Sequence, residues 1–182
     1  MKTVAIVGNA SLTRSYAPFE NEHIEIWGMS IHAYKMRRCD AVLEVHDDVL
    51  KAERWMKYPD CEAYRAWLQE TTIPVWMQKP EPLIPAAVRY PREMIEQRYV
   101  NHLWKGKNRI RTFFGGTASF GVALALYAGF ERVELYGVEL NSRPEYDDER
   151  DCLFFWIGRA EGLGVEVAVH EESKLLREIL YP

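Results

Sequence analysis

The chain has 182 residues and a net charge of −4, with Lys and Arg spread among the acids. One domain fits that length, and a nucleic-acid partner does not fit that charge. Apolar residues make up 48%, enough for a core. Yet the amino-terminal apolar run is shorter than the roughly 7–15 residues of a signal peptide, and no run reaches the about 20 of a membrane span.

The three cysteines, Cys39, Cys61 and Cys152, are odd in number and share no C-x-x-C spacing. A disulfide framework and a zinc site are therefore not expected, and no metal site is assigned. A reducing cytoplasm is the expected location. The short cluster Lys35, Arg37 and Arg38 reads as solvated surface.

In chain order, Val4–Val7 reads as a buried strand ending at Gly8, followed by strands at His23–Gly28 and Ala41–His46. Helices at Leu50–Lys57 and Cys61–Glu70 come next, separated by Pro59. Ile73–Met77 is a fourth strand, which Pro74 marks as weaker or at an edge. Thr117–Ala128 is almost wholly apolar, which predicts a helix buried against the sheet and stopped by Gly129. Val133–Gly137 and Val165–Val169 are further strands, and Asp148–Leu163 between them carries an apolar face through Leu153, Trp156, Ile157 and Ala160. Ser173 caps a last helix, Lys174–Leu180. Continuous apolar strands alternating with helices predict an α/β fold: a single Rossmann-like domain, residues 1–182, with a mostly parallel, doubly wound sheet and flanking helices.

The stretch Gln78–Arg111 departs from this rhythm. It holds Pro80, Pro82, Pro85 and Pro91, then a polar helix-like piece, then the basic run KGKNRIR. It reads as a long insertion: a lid, an oligomer contact or a loop packed on the surface.

Three segments carry candidate chemistry. Gly8, Asn9 and Ser11 follow the first strand, where open α/β sheets bind ligands. Gly8 permits a close turn, and the two polar side chains suit a phosphate or ribose; a plain capped turn is the alternative. The pattern is neither G-x-G-x-x-G nor G-K-[ST], which disfavours dinucleotide dehydrogenases and P-loop enzymes. Gly115, Gly116, Thr117 and Ser119 open the apolar helix, whose free N–H groups and dipole favour an anion; ordinary capping is the alternative. Glu139 leaves the tip of a central strand, and Glu145, Asp147, Asp148 and Glu149 follow. A carboxylate there suits a general base, ligand hydroxyls or a divalent ion, although first-turn acids also simply complement a helix dipole.

His46 and His170 fall at strand ends on the ligand edge, neither with an obvious orienting partner in sequence. Trp27, Trp76 and Trp156 fit core packing, whereas Trp104, among basic residues, is the one placed to stack on a ligand. No G-x-S-x-G elbow occurs.

Together, GNASL after the first strand, GGTASFGVALALYAGF-ERVELYGVEL in the middle and the late GVEVAVHEESKLL resemble the bacterial sialyltransferase-like fold. That group holds CMP-sialic-acid-dependent sialyltransferases and MptE-like proteins (domain of unknown function 115). The pattern G-F-x-x-[IV]-x-L-Y-G-[VI]-[DE], E-Y-x-x-[EQ]-R, W-I-G-x-A-x-G-x-G-V is also similar to uncharacterised phage and prophage proteins. The resemblance implies that Gly8, Asn9 and Ser11 touch a nucleotide's phosphate or ribose. It puts Thr117 in place of the serine of a T-S-G loop, Glu139 in place of the aspartate of G-I-D, and Tyr146 near a phosphate-binding tyrosine. Ala118 and Ser119 depart from the T-S-G loop. No histidine stands between Glu139 and Asp148, where the transferases carry a lid histidine as general base. Glu145, Asp147 and His170 are the replacements on offer.

The expectation is a nucleotide-binding, glycosyltransferase-like protein using a CMP- or other nucleotide-activated sugar, with no further cofactor. Its rivals are a non-catalytic, phage-type protein that sequesters a nucleotide and a partner-binding domain. A homodimer is the commonest assembly for such a chain.

Overall fold

The computed structural model describes residues 1–51, 58–100, 113–140 and 145–176. Seven strands form one sheet: β1 (Thr3–Val7), β2 (Ile24–Met29), β3 (Ala41–Leu43), β4 (Val75–Met77), β5 (Ala87–Arg89), β6 (Arg132–Tyr136) and β7 (Glu166–Val169). Their order is β5-β4-β3-β2-β1-β6-β7, and every pairing is parallel. The Rossmann-like α/β architecture is therefore as expected.

Among the described residues five α-helices join them: α1 (Ser11–Arg14), α2 (Cys61–Glu70), α3 (Arg92–Tyr99), α4 (Thr117–Tyr127) and α5 (Glu145–Glu161); a 3₁₀ helix, Ser30–Lys35, follows β2. α4 is buried from Ala118 through Leu126, as a helix apolar on all sides must be.

The sheet's two faces follow the period of two along each strand. Val4 and Ile6 of β1 and Leu43 of β3 face α4 and α5, in a core with Phe120, Leu124, Leu153 and Trp156. Val42 and Val75 point the other way, onto Tyr64 and Leu68 of α2. Ala5 and Val7 share that opposite side with Ala17 and Ile26. Each fully buried Leu, Ile or Phe stabilises by about 1.5–3 kcal/mol, so the two faces rather than helix propensity hold the sandwich together.

Four differences from the sequence reading have physical causes. β3 stops at Leu43 rather than His46; Glu44 still donates its N–H to Trp76 O at 3.0 Å, after which the chain turns aside. β4 is not an edge strand, because Pro74 lies before it and only lends its carbonyl to Val42. The edge on that side is β5, too short to show alternation, zipped on by Val75 N–H to Ala86 O (2.9 Å) and Tyr90 N–H to Met77 O (2.7 Å).

The fourth concerns the expected insertion. Over 78–100 the stretch supplies β5 and α3, whose Ile95 and Tyr99 are buried in the core, so this part is framework. Residues 101–111, with Trp104, lie outside the described residues, as do most of the expected helices 50–57 and 174–180. Leu50 and Lys51 form a turn.

Candidate functional site

Parallel strands deliver all their carboxyl ends to one edge, and the connections reverse direction between β1 and β6. Ligands of open α/β sheets bind in the crevice at such a switch point. A cavity of about 690 Å³ lies there, walled by the tips of β1, β2 and β6, the 3₁₀ helix and the start of α4. Ser30 (φ +46°) and Leu140 (φ +45°), both on its wall, are the non-glycine residues with left-handed backbone among the described residues. Strain of this kind, on the order of 1–3 kcal/mol per residue, gathers at functional sites.

β1 and β6 are bound beyond their ends. Gly8 N–H donates to Tyr136 O (2.8 Å) and Ala10 N–H to Gly137 O (3.0 Å). A Cβ on Gly8 would collide with the Gly137 carbonyl, and one on Gly137 would come within 2.8 Å of Gly8 O. Gly8 is thus a backbone crossing, and Asn9 and Ser11 beyond it line the cavity. The Asn9 side-chain carbonyl accepts from Arg14 Nη1 at 3.2 Å.

At α4, Thr117 reaches the cavity, whereas Ser119 is 1% exposed and donates its hydroxyl to Gly116 O at 2.6 Å. Ser119 closes the helix's first turn and does not face the ligand space. Gly116 is needed because the Glu149 carboxylate packs over it: a Cβ there would lie 2.7 Å from Glu149 Cδ. Gly115 sits as closely against α5, a Cβ meeting Cys152 Sγ at 3.0 Å. The two glycines let α5 bring Glu149 onto the cavity wall.

Glu139 is a three-way clamp. Its Oε1 accepts from Thr13 Oγ1 (3.0 Å), and its Oε2 from Ser173 Oγ (3.2 Å) and from the Lys174 backbone N–H. Thr13 Oγ1 in turn accepts from Gly137 N–H at 2.8 Å. The carboxylate thereby ties α1, the β6 tip and the segment after β7 together beside the cavity. Ser173 Oγ also accepts from Leu175 N–H at 3.1 Å.

The histidines divide. His170 stacks on Tyr16 with ring centroids 4.3 Å apart and lies outside the cavity wall, which removes it as a base there. His32 and His46 are on the wall. The His46 ring places Nδ1 2.6 Å from Oε1 of Glu44, whose Oε2 accepts from Tyr64 O–H at 2.7 Å. Glu44 and Tyr64 are both 0% exposed.

His32 is held down to about 4, first by burial, then by the nearby Arg14 and Lys35 cations. The folded protein therefore keeps it neutral while the unfolded chain protonates it near the ordinary 6.5. Protons bind the unfolded state more tightly between those values, so stability is lost as pH falls through that window. With the ring partly in solvent, the discounted loss from pH 7 to pH 5 is about 1 kcal/mol. His32→Gln should flatten that part of the Tm-against-pH curve; an unchanged slope would contradict the burial.

No protein-family profile matches this chain, and no curated protein matches it in sequence. Among solved structures, the Campylobacter jejuni sialyltransferase CstII with a CMP-sugar analogue, CMP-3FNeuAc, superposes at TM-score 0.51 and 13% identity, over 93% of this chain and 81% of that one. With cytidine-5′-monophosphate it gives 0.53 and 14%, over 99% and 82%. A variant of it in complex with CMP gives 0.51 and 14%, over 93% and 81%. The fold is similar to that of CstII. At these identities the likeness is one of architecture, and the site's chemistry rests on this chain's own side chains.

Within the CstII-like sheet, the cavity gathers Asn9, Ser11, His46, Thr117, Glu139 and Glu149 of the residues singled out from sequence. Gly8, Gly115 and Gly116 stand behind it as packing positions. Asp147 is exposed and off the cavity wall. Glu145 and Tyr146 begin α5, and their side chains lie outside those described. Unforeseen on the wall are Ser30, His32 and Lys174. The orienting partner of His46 was legible in principle, since Glu44-Val45-His46 puts two polar residues on one side of an extended segment. No described helix is long and apolar enough to cross a membrane, and the described residues hold no cluster of three or more metal-ligating side chains.

Proposed function

We propose that the cavity binds the phosphate and sugar of a nucleotide, and that the protein transfers a glycosyl group from a nucleotide-activated donor. The observation that carries this reading is the convergence of Asn9, Ser11 and Thr117 on one cavity at the β1–β6 switch point. Amide and hydroxyl donors there, with the amino end of the 11-residue α4 at Thr117 and the Lys174 cation on the same cavity wall, suit a leaving phosphate. The fold's likeness to a sialyltransferase crystallised with CMP supports cytidine as the first base to try. Tyr146, at the start of α5, is assigned to the same phosphate. Kinship with MptE-like and phage proteins rests on the sequence motifs quoted above.

Glu139 acts here as a brace, because both its oxygens already accept hydrogen bonds. That engagement favours one second reading, a nucleotide-sequestering protein without turnover. Thermal-shift titration with CMP, CDP, UMP and their sugar conjugates tests the site. A native-state ligand at a hundredfold excess over Kd stabilises by about 2.7 kcal/mol, a readily seen shift. Asn9→Ala and Thr117→Val should each weaken binding about tenfold, the loss of one hydrogen bond to a charged group. Unchanged affinity in both variants would remove the site assignment. Binding with the donor recovered intact would select the sequestering reading.

A further inference from the structure

We propose that His46, oriented by the buried Glu44–Tyr64 pair, is the general base of this site. The inference rests on the glycosyl-transfer reading and names the group that reading lacks.

The geometry is built from the inside outwards. α2 carries Tyr64 into the opposite core, where its hydroxyl donates to Glu44 Oε2 at 2.7 Å. The other oxygen, Oε1, accepts from the His46 backbone N–H at 3.3 Å and faces its Nδ1 at 2.6 Å. A carboxylate that accepts from Tyr64 and from the backbone leaves Nδ1 as the donor, so the ring's lone pair resides on Nε2. The ring is half-exposed, with 36% of its side chain accessible, and it lines the cavity, while Glu44 is wholly buried. Burying a carboxylate is costly unless every oxygen is engaged, and here the engagement fixes one exposed ring.

Three other groups on or near the cavity fit the role less well. Glu139 has both oxygens occupied by donors, and His170 is stacked on Tyr16 outside it. His32, held down to about 4, is too weak a base at neutral pH.

The step balances. The acceptor hydroxyl's oxygen forms the new bond to the anomeric carbon, and its proton passes to Nε2 of His46. The bond from anomeric carbon to phosphate oxygen breaks, its electron pair leaving on the nucleotide, which is CMP for a CMP-sugar and a nucleoside diphosphate for a UDP- or GDP-sugar. Glu44 then carries the imidazolium's charge across the 2.6 Å contact, and the proton returns to solvent on product release.

The experiment follows release of CMP from CMP-sialic acid, and of UDP or GDP from UDP- and GDP-sugars, with water and then free sugars as acceptors. His46→Gln, which keeps a donor for Glu44, and His46→Ala should lower kcat by about 10²- to 10⁴-fold. CMP should still raise their Tm as it does for the unaltered chain, and added imidazole should restore part of the His46→Ala rate. Glu44→Gln should lower kcat with little change in KM.

Turnover within about threefold in the His46 variants overturns the proposal. So does an unaltered chain that binds CMP yet releases nothing from any donor, and in that case the nucleotide site itself stands. An unaltered chain that shows no shift with any nucleotide overturns the glycosyl-transfer reading first, and the base assignment with it.

Discussion

Gly8→Ala lowers the unfolding free energy by about 3 kcal/mol or more, an effect expected from a single methyl group driven into backbone. The added Cβ would meet the Gly137 carbonyl oxygen and approach Gly137 C to 3.1 Å, and neither atom can swing aside as a side chain would. Giving way means parting β1 from β6, the pair that holds the cavity, and breaking the hydrogen bond from Gly8 N–H to Tyr136 O. Nucleotide binding should fall together with stability.

The control is Gly158→Ala, on the exposed side of α5, where a Cβ meets nothing within 4 Å. That change should stabilise by about 0.5–1 kcal/mol through helix propensity and lost unfolded-state freedom. Urea unfolding followed by tryptophan fluorescence measures both. A Gly8→Ala protein as stable as its parent would mean that the two loops do not cross as closely as described.

Tyr64→Phe is the second large effect. The hydroxyl donates to Glu44 Oε2, and with both residues at 0% exposure no water stands ready to replace it. Leaving a buried carboxylate oxygen unpaired costs about 2–3 kcal/mol, far more than the net worth of an ordinary hydrogen bond. Removing both partners, as in Tyr64→Phe with Glu44→Met, should recover much of that loss, because no polar atom is then stranded.

The double variant separates stability from activity. It should unfold near the parent's urea midpoint yet turn over donor as slowly as the His46 variants, since His46 keeps its ring but loses its brace. A Tyr64→Phe protein within about 0.5 kcal/mol of the parent would show that the carboxylate is wet, and the orientation argument for His46 would fall with it.

Much of the frame was readable because it depends on neighbours in sequence. VAIV, VELY and VEVAV are apolar, β-branched runs of strand length, and TASFGVALALYA is apolar on every side. Such runs favour burial, although β7 at the sheet's edge is only half-buried, and their alternation with helices leaves few arrangements besides a parallel sheet. β5 escaped because three residues, Ala87–Arg89, show no period; pairing with β4 creates the strand. The polar helix-like piece after Pro91 proved to be α3, anchored by Ile95 and Tyr99 one turn apart.

The candidate site was half readable. Asn9, Ser11 and Thr117 stand at strand or helix tips, and a tip in this fold faces the crevice wherever the chain runs next. Ser119 and His170 also stand near tips, yet one is spent on a helix turn and the other on a tyrosine ring.

The sequence by itself determined the fold class, six of the seven strands and the edge of the sheet where a ligand belongs, because local periodicity records which face of each element is buried. Only the tertiary structure decided the roles of the charged groups. Glu139 reads as a base until Thr13, 126 residues away, and Ser173, 34 away, engage its two oxygens. His46 reads as a lone histidine until Tyr64 closes the buried end of Glu44. Hydrogen bonds between distant segments are set by how strands cross over, and local periodicity carries no record of them.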